Sequence, residues 1–295
     1  MNRAVFALSF VLLGALAVAG IAQEESLTFK TDFQTGQVYR YRMTTTSTVA
    51  GAEQAATTTE IDYHYEIRSA DESTFTIVAG IDELRIAGPD GEEVTIPEAT
   101  EAMIRTISAA IGALQITYDH QWNVVGATGL GEVVAALLRQ LPPPASDYAG
   151  KIGAVADKIL GPVAKGLLES SSRADTNWRM FRMGTVSKGY SWSMNNEIPL
   201  IGTFDQSEEV TGFETSMDRD VVLFAQEQTF EFEGLAALLG YGSQRTEGTG
   251  GLFANGLPAS GHLTTTMVFQ GREVTSEIGV ELTGIDGGTP GIEKD

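Results

Sequence analysis

Ile61-Asp62-Tyr63-His64-Tyr65-Glu66-Ile67-Arg68 alternates apolar and polar residues without a break. A period of two puts Ile61, Tyr63, Tyr65 and Ile67 on one face and the charged side chains on the other, the pattern of a half-buried antiparallel strand. The stretch before it repeats the pattern, with Tyr39, Tyr41 and Met43 alternating with Val38, Arg40 and Arg42. The stretch after it sets Phe75, Ile77, Ala79 and Ile81 on one side. A turn near Ala52 predicts Tyr39 opposite Tyr65, Tyr41 opposite Tyr63 and Arg42 opposite Asp62. A turn near Asp71 predicts Ile67 opposite Phe75 and Tyr65 opposite Ile77. A slip of one residue would split the aromatics between the two faces, so the pattern itself selects this register.

A second strand series lies further along. It opens at Gly189-Tyr190-Ser191-Trp192 and continues through Phe204 to Met217 and Val221 to Glu233, with a turn at Asp218-Arg219. Its last hairpin turns at Gln270-Gly271, which predicts Met267 opposite Val274 and Leu263 opposite Ile278. Gln115 to Val125 reads as a bent strand or a strand pair. Gly240-Tyr241-Gly242-Ser243 and Gly248-Thr249-Gly250-Gly251 read as hairpin punctuation. Two short echoes suggest that the series are duplicates. Gly36-Gln37-Val38-Tyr39 resembles Gly189-Tyr190-Ser191-Trp192, and Tyr118 to Trp122 has a counterpart in Phe253-Ala254-Asn255-Gly256.

Between the two series runs the chain's one long helical block, Glu98 to Arg173. Glu98 and Glu101 stand in a first turn, where acids complement the helix dipole. Met103, Ile107, Ala110 or Ile111, and Leu114 then recur at helical spacing. A second helix is expected from Gly131 or Glu132 to Leu141, stopped by Pro142-Pro143-Pro144. A third is expected from Ser146-Asp147 to a break near Pro162, with Lys151, Lys158 and Lys165 along a solvated face.

The predicted fold class is therefore α+β: large curved antiparallel sheets packed around a central helical block, with duplication of the two strand series left open. Residues 1–22 are expected to be a signal peptide, from Arg3, the apolar run Ala4 to Val18 and small residues up to Ala22. Residues 23–284 form one integrated domain, with strands over 37–86, helices over 98–173 and strands over 189–284. Residues 285–295 are a Gly-rich polar tail.

The chain has 295 residues, no cysteine and a formal net charge of −20. The absence of cysteine excludes disulfides and a lipid-modified cysteine anchor. The acidic field repels nucleic acid. No apolar run after residue 22 is long enough to span a bilayer as a helix. The expected location is exported, periplasmic or extracellular.

The order of a signal peptide, a Gly-x-x-Tyr strand opening, a Gly-x-Ser-Trp block (Gly189 to Trp192) and a Gly-x-Gly-Gly-x-Phe block (Gly248 to Phe253) resembles a family of secreted bacterial β-rich proteins without an assigned function. That resemblance carries no catalytic residues. A looser architectural likeness is to periplasmic lipoprotein carriers, in which a curved sheet wraps helices around an apolar cavity.

Catalytic constellations are thinly represented. His64, His120 and His262 lack ligand spacing, so no metal or other cofactor is expected. Gly189-Tyr190-Ser191-Trp192-Ser193 lacks the final glycine of a nucleophile elbow. Asp218 with Asp220, or Glu208 with Glu209, would have to flank one bond across a cleft to act as a carboxylate pair. The aromatic face offers the binding candidates: Tyr39, Tyr41, Tyr63, Tyr65, Phe75 and Trp122 are predicted to contact an apolar ligand, against the alternative that they are packed core. The sequence thus points to a non-enzymatic envelope protein that binds an apolar ligand or a protein partner. A structural or assembly component without a small ligand is the alternative, and a carboxylate-dependent hydrolase is third.

Overall fold

The computed structural model describes residues 26–50, 56–88, 91–95, 98–139, 150–151, 184–198, 202–238 and 240–287. The expected signal peptide, most of the third helix and its lysine face, and the end of the tail lie outside these residues.

The first strand series comprises β1 (Ser26–Thr28), β2 (Val38–Val49), β3 (Thr57–Ala70), β4 (Thr74–Ala87), β5 (Gln115–Asp119) and β6 (Val124–Thr128). The second comprises β7 (Thr185–Ser187), β8 (Ser191–Ile198), β9 (Gly202–Ser216), β10 (Arg219–Phe232), β11 (Tyr241–Phe253), β12 (Pro258–Phe269) and β13 (Arg272–Asp286). Three helices are described: α1 (Glu98–Ala113) between β4 and β5, α2 (Leu130–Arg139) after β6, and α3 (Gly234–Leu238) between β10 and β11. Eleven strands form one antiparallel sheet in the order β6-β5-β4-β3-β2-β13-β12-β11-β10-β9-β8, and β1 pairs with β7 apart from it. Every neighbour in the large sheet is a hairpin neighbour except β2 and β13, which join the two series into one surface.

The registers of β2 with β3 and of β12 with β13 are those the alternation predicts, with Tyr39 opposite Tyr65, Tyr41 opposite Tyr63 and Met267 opposite Val274. The two-residue turns Met217-Asp218, one residue before the expected Asp218-Arg219, and Gln270-Gly271 have positive φ throughout, from 49° to 72°. That geometry matches the twist of the strands they join. One register differs from expectation. A bulge leaves Arg68 unpaired, so Ile67 lies opposite Ile77 and Tyr65 opposite Ala79. The turn lies further along than expected, with Ala70 opposite Phe75, and the one extra residue at Arg68 then restores the apolar face by pairing Ile67 with Ile77.

The sheet is rolled. Six strand positions separate the β5–β6 turn from the β11–β12 turn, about 29 Å if the sheet were flat. Yet Trp122 Nε1 of the first turn donates to Asn255 O of the second at 3.1 Å. Rolling brings the apolar face of the first series against that of the second. Tyr39, Phe75, Trp122, Val210, Val222, Leu252 and Phe253 consequently belong to one buried cluster.

This overturns the α+β class with a central helical block. The described structure is mainly β, built on one large antiparallel sheet. Among the described residues, no side chain of α1, α2 or α3 enters the buried core cluster. The reason is physical: a sheet rolled on itself buries its own aromatic face and needs no helical filling. Instead, α1 packs on β4 and α2 packs on α1, with Ala110, Ala135 and Ala136 buried in that side layer. Ala110 of the expected α1 stripe is buried and Ile111 half-buried, but periodicity does not say whether the surface they cover is the centre or the flank.

The glycine-rich stretches are corrected as well. Gly242, Gly248, Gly250 and Gly251 are not turns; they lie within the continuous strand β11. Bare backbone there admits close neighbours. A Cβ at Gly250 would overlap the Phe224 ring on β10, and one at Gly248 would overlap the backbone of β12.

The two series repeat one another in detail. Gly36 N–H donates to Ile67 O, and Ile67 N–H donates to Gln37 O, each at 2.8 Å; Gly189, Val210 and Tyr190 make the same two bonds at 2.8 Å. The bulge at Arg68 returns at Thr211, which β10 leaves unpaired. Following the registers outward sets Ile77 in the place of Phe224, and Ile116 in the place of Gly250. The turns agree too. Asp119 N–H bonds Asn123 O at 2.9 Å and Trp122 N–H bonds Asp119 O at 2.8 Å, as Phe253 does with Leu257 and Gly256 with Phe253 at the same lengths. Trp122 has φ 60° and Gly256 has φ 88°. The two sequence echoes fall on these equivalent positions.

Candidate functional site: an apolar cavity beside the first series

A cavity of about 350 Å³ opens between the rolled sheet and the end of α1. Its floor is Tyr65, Ile77, Ala79 and Ile116 on β3, β4 and β5. Ile111 and Leu114 at the end of α1 form one wall. Tyr118 and Trp122 form another, and Gly256, Leu257 and Pro258 reach across from the second series to close the rim. Among the described residues, no Asp, Glu, Lys, Arg or His side chain lines it. The size and apolar lining are those of a small-ligand pocket.

Local sequence explains the space. The bulge at Arg68 sets Ala79, a small residue, opposite Tyr65. Trp122 stands at the corner in a left-handed conformation, which costs a bulky residue about 1–2 kcal/mol. Packing holds it there. Its ring lies 4.9 Å from Phe75 and 5.2 Å from Tyr118, and its Nε1–H donates to Asn255 O. A strained residue held from several sides is characteristic of functional positions.

Behind the rim lies a buried polar array. Asn255 Nδ2 donates to Tyr39 Oη at 3.0 Å, and Arg219 Nη1 donates to the same oxygen at 3.2 Å. The Arg219 guanidinium lies 5.6 Å from the centre of the Tyr39 ring. Tyr41 Oη donates to Pro258 O at 3.0 Å, and Leu257 N–H donates to Asn255 Oδ1 at 3.1 Å. These bonds fix the Asn255–Pro258 turn that forms the rim. Burial raises the Tyr39 hydroxyl above its ordinary range, opposed by the Arg219 charge, and raises the Tyr41 hydroxyl further. Burial also raises the Tyr63 hydroxyl. All three stay neutral at physiological pH.

The six aromatic candidates divide. Tyr65 and Trp122 line the cavity. Tyr39, Tyr41 and Phe75 are 0%, 1% and 0% exposed and belong to the packed core. Tyr63 stacks on Tyr41 at 5.2 Å, beside the cavity rather than in it. Sequence reasoning placed Ala79 on the correct face and Ile111 and Leu114 on the α1 stripe. It missed the Gly256–Pro258 rim, because only the rolling of the sheet brings that turn here.

The candidate chemistry is dispersed. Glu208 is buried on the inner face with Gln206, whose Nε2 donates to it at 3.2 Å, while the neighbouring Glu209 is exposed on the opposite face. That pair does not face one cleft. His64 Nδ1 lies 2.8 Å from Asp82 Oδ1 on the outer face. His120 Nδ1 is bonded to Thr31 Oγ1, and its Nε2 to Asp71 O at 2.9 Å. Among the described residues, no three metal-ligating side chains converge.

No family model matches the chain, and no curated protein matches it. Among solved structures, one described as lipid-protein interactions in lipovitellin is similar at a TM-score of 0.45 and 12% identity. The similarity covers 89% of this chain and 27% of that one, so this chain spans about a quarter of its length. At that score the likeness carries no argument about function. Among the described residues, no helix is long and apolar enough to cross a membrane.

Proposed function

We propose that this chain is an exported binding protein of the cell envelope that holds one neutral apolar group in the cavity between β3–β5, the end of α1 and the Gly256–Pro258 rim. The observation that carries the reading is the cavity itself: about 350 Å³, with aromatic and aliphatic walls and no Asp, Glu, Lys, Arg or His among the described residues that line it. An ionised headgroup buried there would lack a charged partner, at a penalty of several kcal/mol. The ligand therefore inserts a hydrocarbon portion, an acyl or isoprenoid chain, and leaves any charge outside. The acidic surface, with a net charge of −20, further disfavours anionic ligands.

The test is titration of the purified protein with N-phenyl-1-naphthylamine, a neutral apolar probe, with Ala79→Phe as the filled-cavity variant. Saturable one-to-one binding that weakens at least tenfold in Ala79→Phe is expected. Equal binding by the two proteins, or none by either, would sink the proposal.

A further inference from the structure

We infer that the second strand series contains the same site in plugged form, with the Phe224 ring as a built-in occupant, and that Ile77 and Ile116 are the residues that keep the first site open. The inference rests on the apolar-ligand reading for its consequence, but its geometry stands apart from it.

The register equivalence maps each floor residue of the cavity onto the second series. Ile77, opposite Ile67 and Ile116, corresponds to Phe224, opposite Val210 and Gly250. Tyr65 corresponds to Glu208, and Ala79 to Gln226. In the first series, two branched aliphatic side chains face each other across β4 and β5, and space remains above them. In the second, the far end of one large ring reaches over a residue without a side chain. Phe224 is 6% exposed, and a Cβ on Gly250 would overlap its ring. The pair Phe224–Gly250 thus occupies from within what Ile77–Ile116 leaves empty. The wall differs as well. The connection between β4 and β5 carries the sixteen-residue α1 and contributes Ile111 and Leu114, whereas the β10–β11 connection carries the five-residue α3. One repeat therefore binds, and the other completes the core and lends its turn as the rim.

Xenon enters dry apolar cavities, so crystals of the protein under xenon pressure read the space without any assumption about the native ligand. Wild type should hold xenon at the Ile77–Ala79 floor and none between β10 and β11. The exchange variant Ile77→Phe/Ile116→Gly should lose the first site. Phe224→Ile, a milder change that retains an aliphatic core residue, should gain a site over Gly250. Xenon over Gly250 in wild type, its persistence at the floor in the exchange variant, or its absence over Gly250 in Phe224→Ile would each overturn the inference. Probe titration of the same proteins separates the two claims. The expected xenon pattern without probe binding defeats the ligand reading alone. Probe binding with a different xenon pattern defeats this inference alone.

Discussion

The two strand series share hydrogen bonds, bulges and turn geometry, yet the floor of Ile77 and Ile116 lies under a cavity while the equivalent position is filled by Phe224 over Gly250. Backbone geometry is thus the common property, and a few side chains decide its use. Trp122 and Gly256 occupy the same left-handed turn position, one as a bulky wall and the other as bare backbone. Ile77 and Phe224 occupy the same strand position, with opposite effects on the space above them. The difference teaches that a repeat can divide labour without changing its fold.

The largest expected effect concerns the turn pair. Trp122→Ala removes a ring that is 3% exposed and should destabilise the protein by about 3–5 kcal/mol. Gly256→Ala at φ 88° should cost only about 1–2 kcal/mol, from backbone strain. Urea denaturation of both variants checks the contrast; similar losses would mean that the two turns are not used differently. Next, Gly250→Ala should destabilise by about 1–3 kcal/mol through overpacking against Phe224. Phe224→Ile should rescue most of that loss in the double variant, and additive losses would show that the ring does not lie where the plug requires.

The third prediction sharpens the comparison through pH. Tyr39 and Tyr41 have neutral counterparts, Trp192 and Met194, in the second series. Burial raises the folded pKa of Tyr41 above its ordinary value of 10.0. The unfolded chain therefore ionises first, and the stability this group contributes is present below about pH 10 and lost above it. Tyr41→Phe should flatten the alkaline fall in melting temperature, whereas Met194→Leu should leave its slope unchanged. The smallest effect lies at the β3–β4 hairpin. Backbone and hydroxyl donors of Ser73 and Thr74 hold the Asp71 carboxyl down to about 2. Its contribution is present above the unfolded carboxylate range near pH 4 and is lost as pH falls towards 2. Asp71→Asn should reduce the acid loss slightly by the same thermal assay. The equivalent Met217-Asp218 hairpin relies on backbone conformation instead.

Much of this was legible in the alternation of apolar residues. Tyr39 to Ile67 and Leu263 to Val280 declared their registers, because any other pairing would expose the aromatics. The two sequence echoes, at the strand opening of Gly36 and at the turn of Trp122, fall where the hydrogen bonds of the two series coincide. The helical block was overvalued because stripes such as Met103 to Leu114 report a buried face without reporting its depth. Strand β11 was misread because glycine signals a turn in isolation, while here it signals the approach of Phe224 and the β12 backbone. The bulge at Arg68 left no mark, since it preserves the face it shifts. Of the candidate site, Tyr65 and Trp122 were visible as aromatics on the inner face. Their separation from Tyr39, Tyr41 and Phe75 depended on the roll, and the roll depends on contacts between residues more than a hundred positions apart.

The pairing of β2 with β13 has a consequence for the order of assembly. All other neighbours in the large sheet meet through hairpin-type connections, which form quickly because the loops to be closed are short or carry their own helix. The β2–β13 seam closes a loop of more than two hundred residues, and its final strand is the last described element to be synthesised. Until Asp286 has been made, each series is an open sheet with an unsatisfied edge at β2 or β12. The growing chain is therefore a pair of half-sheets waiting for one strand, and the interval before that strand arrives is when it is most exposed to aggregation and to proteolysis.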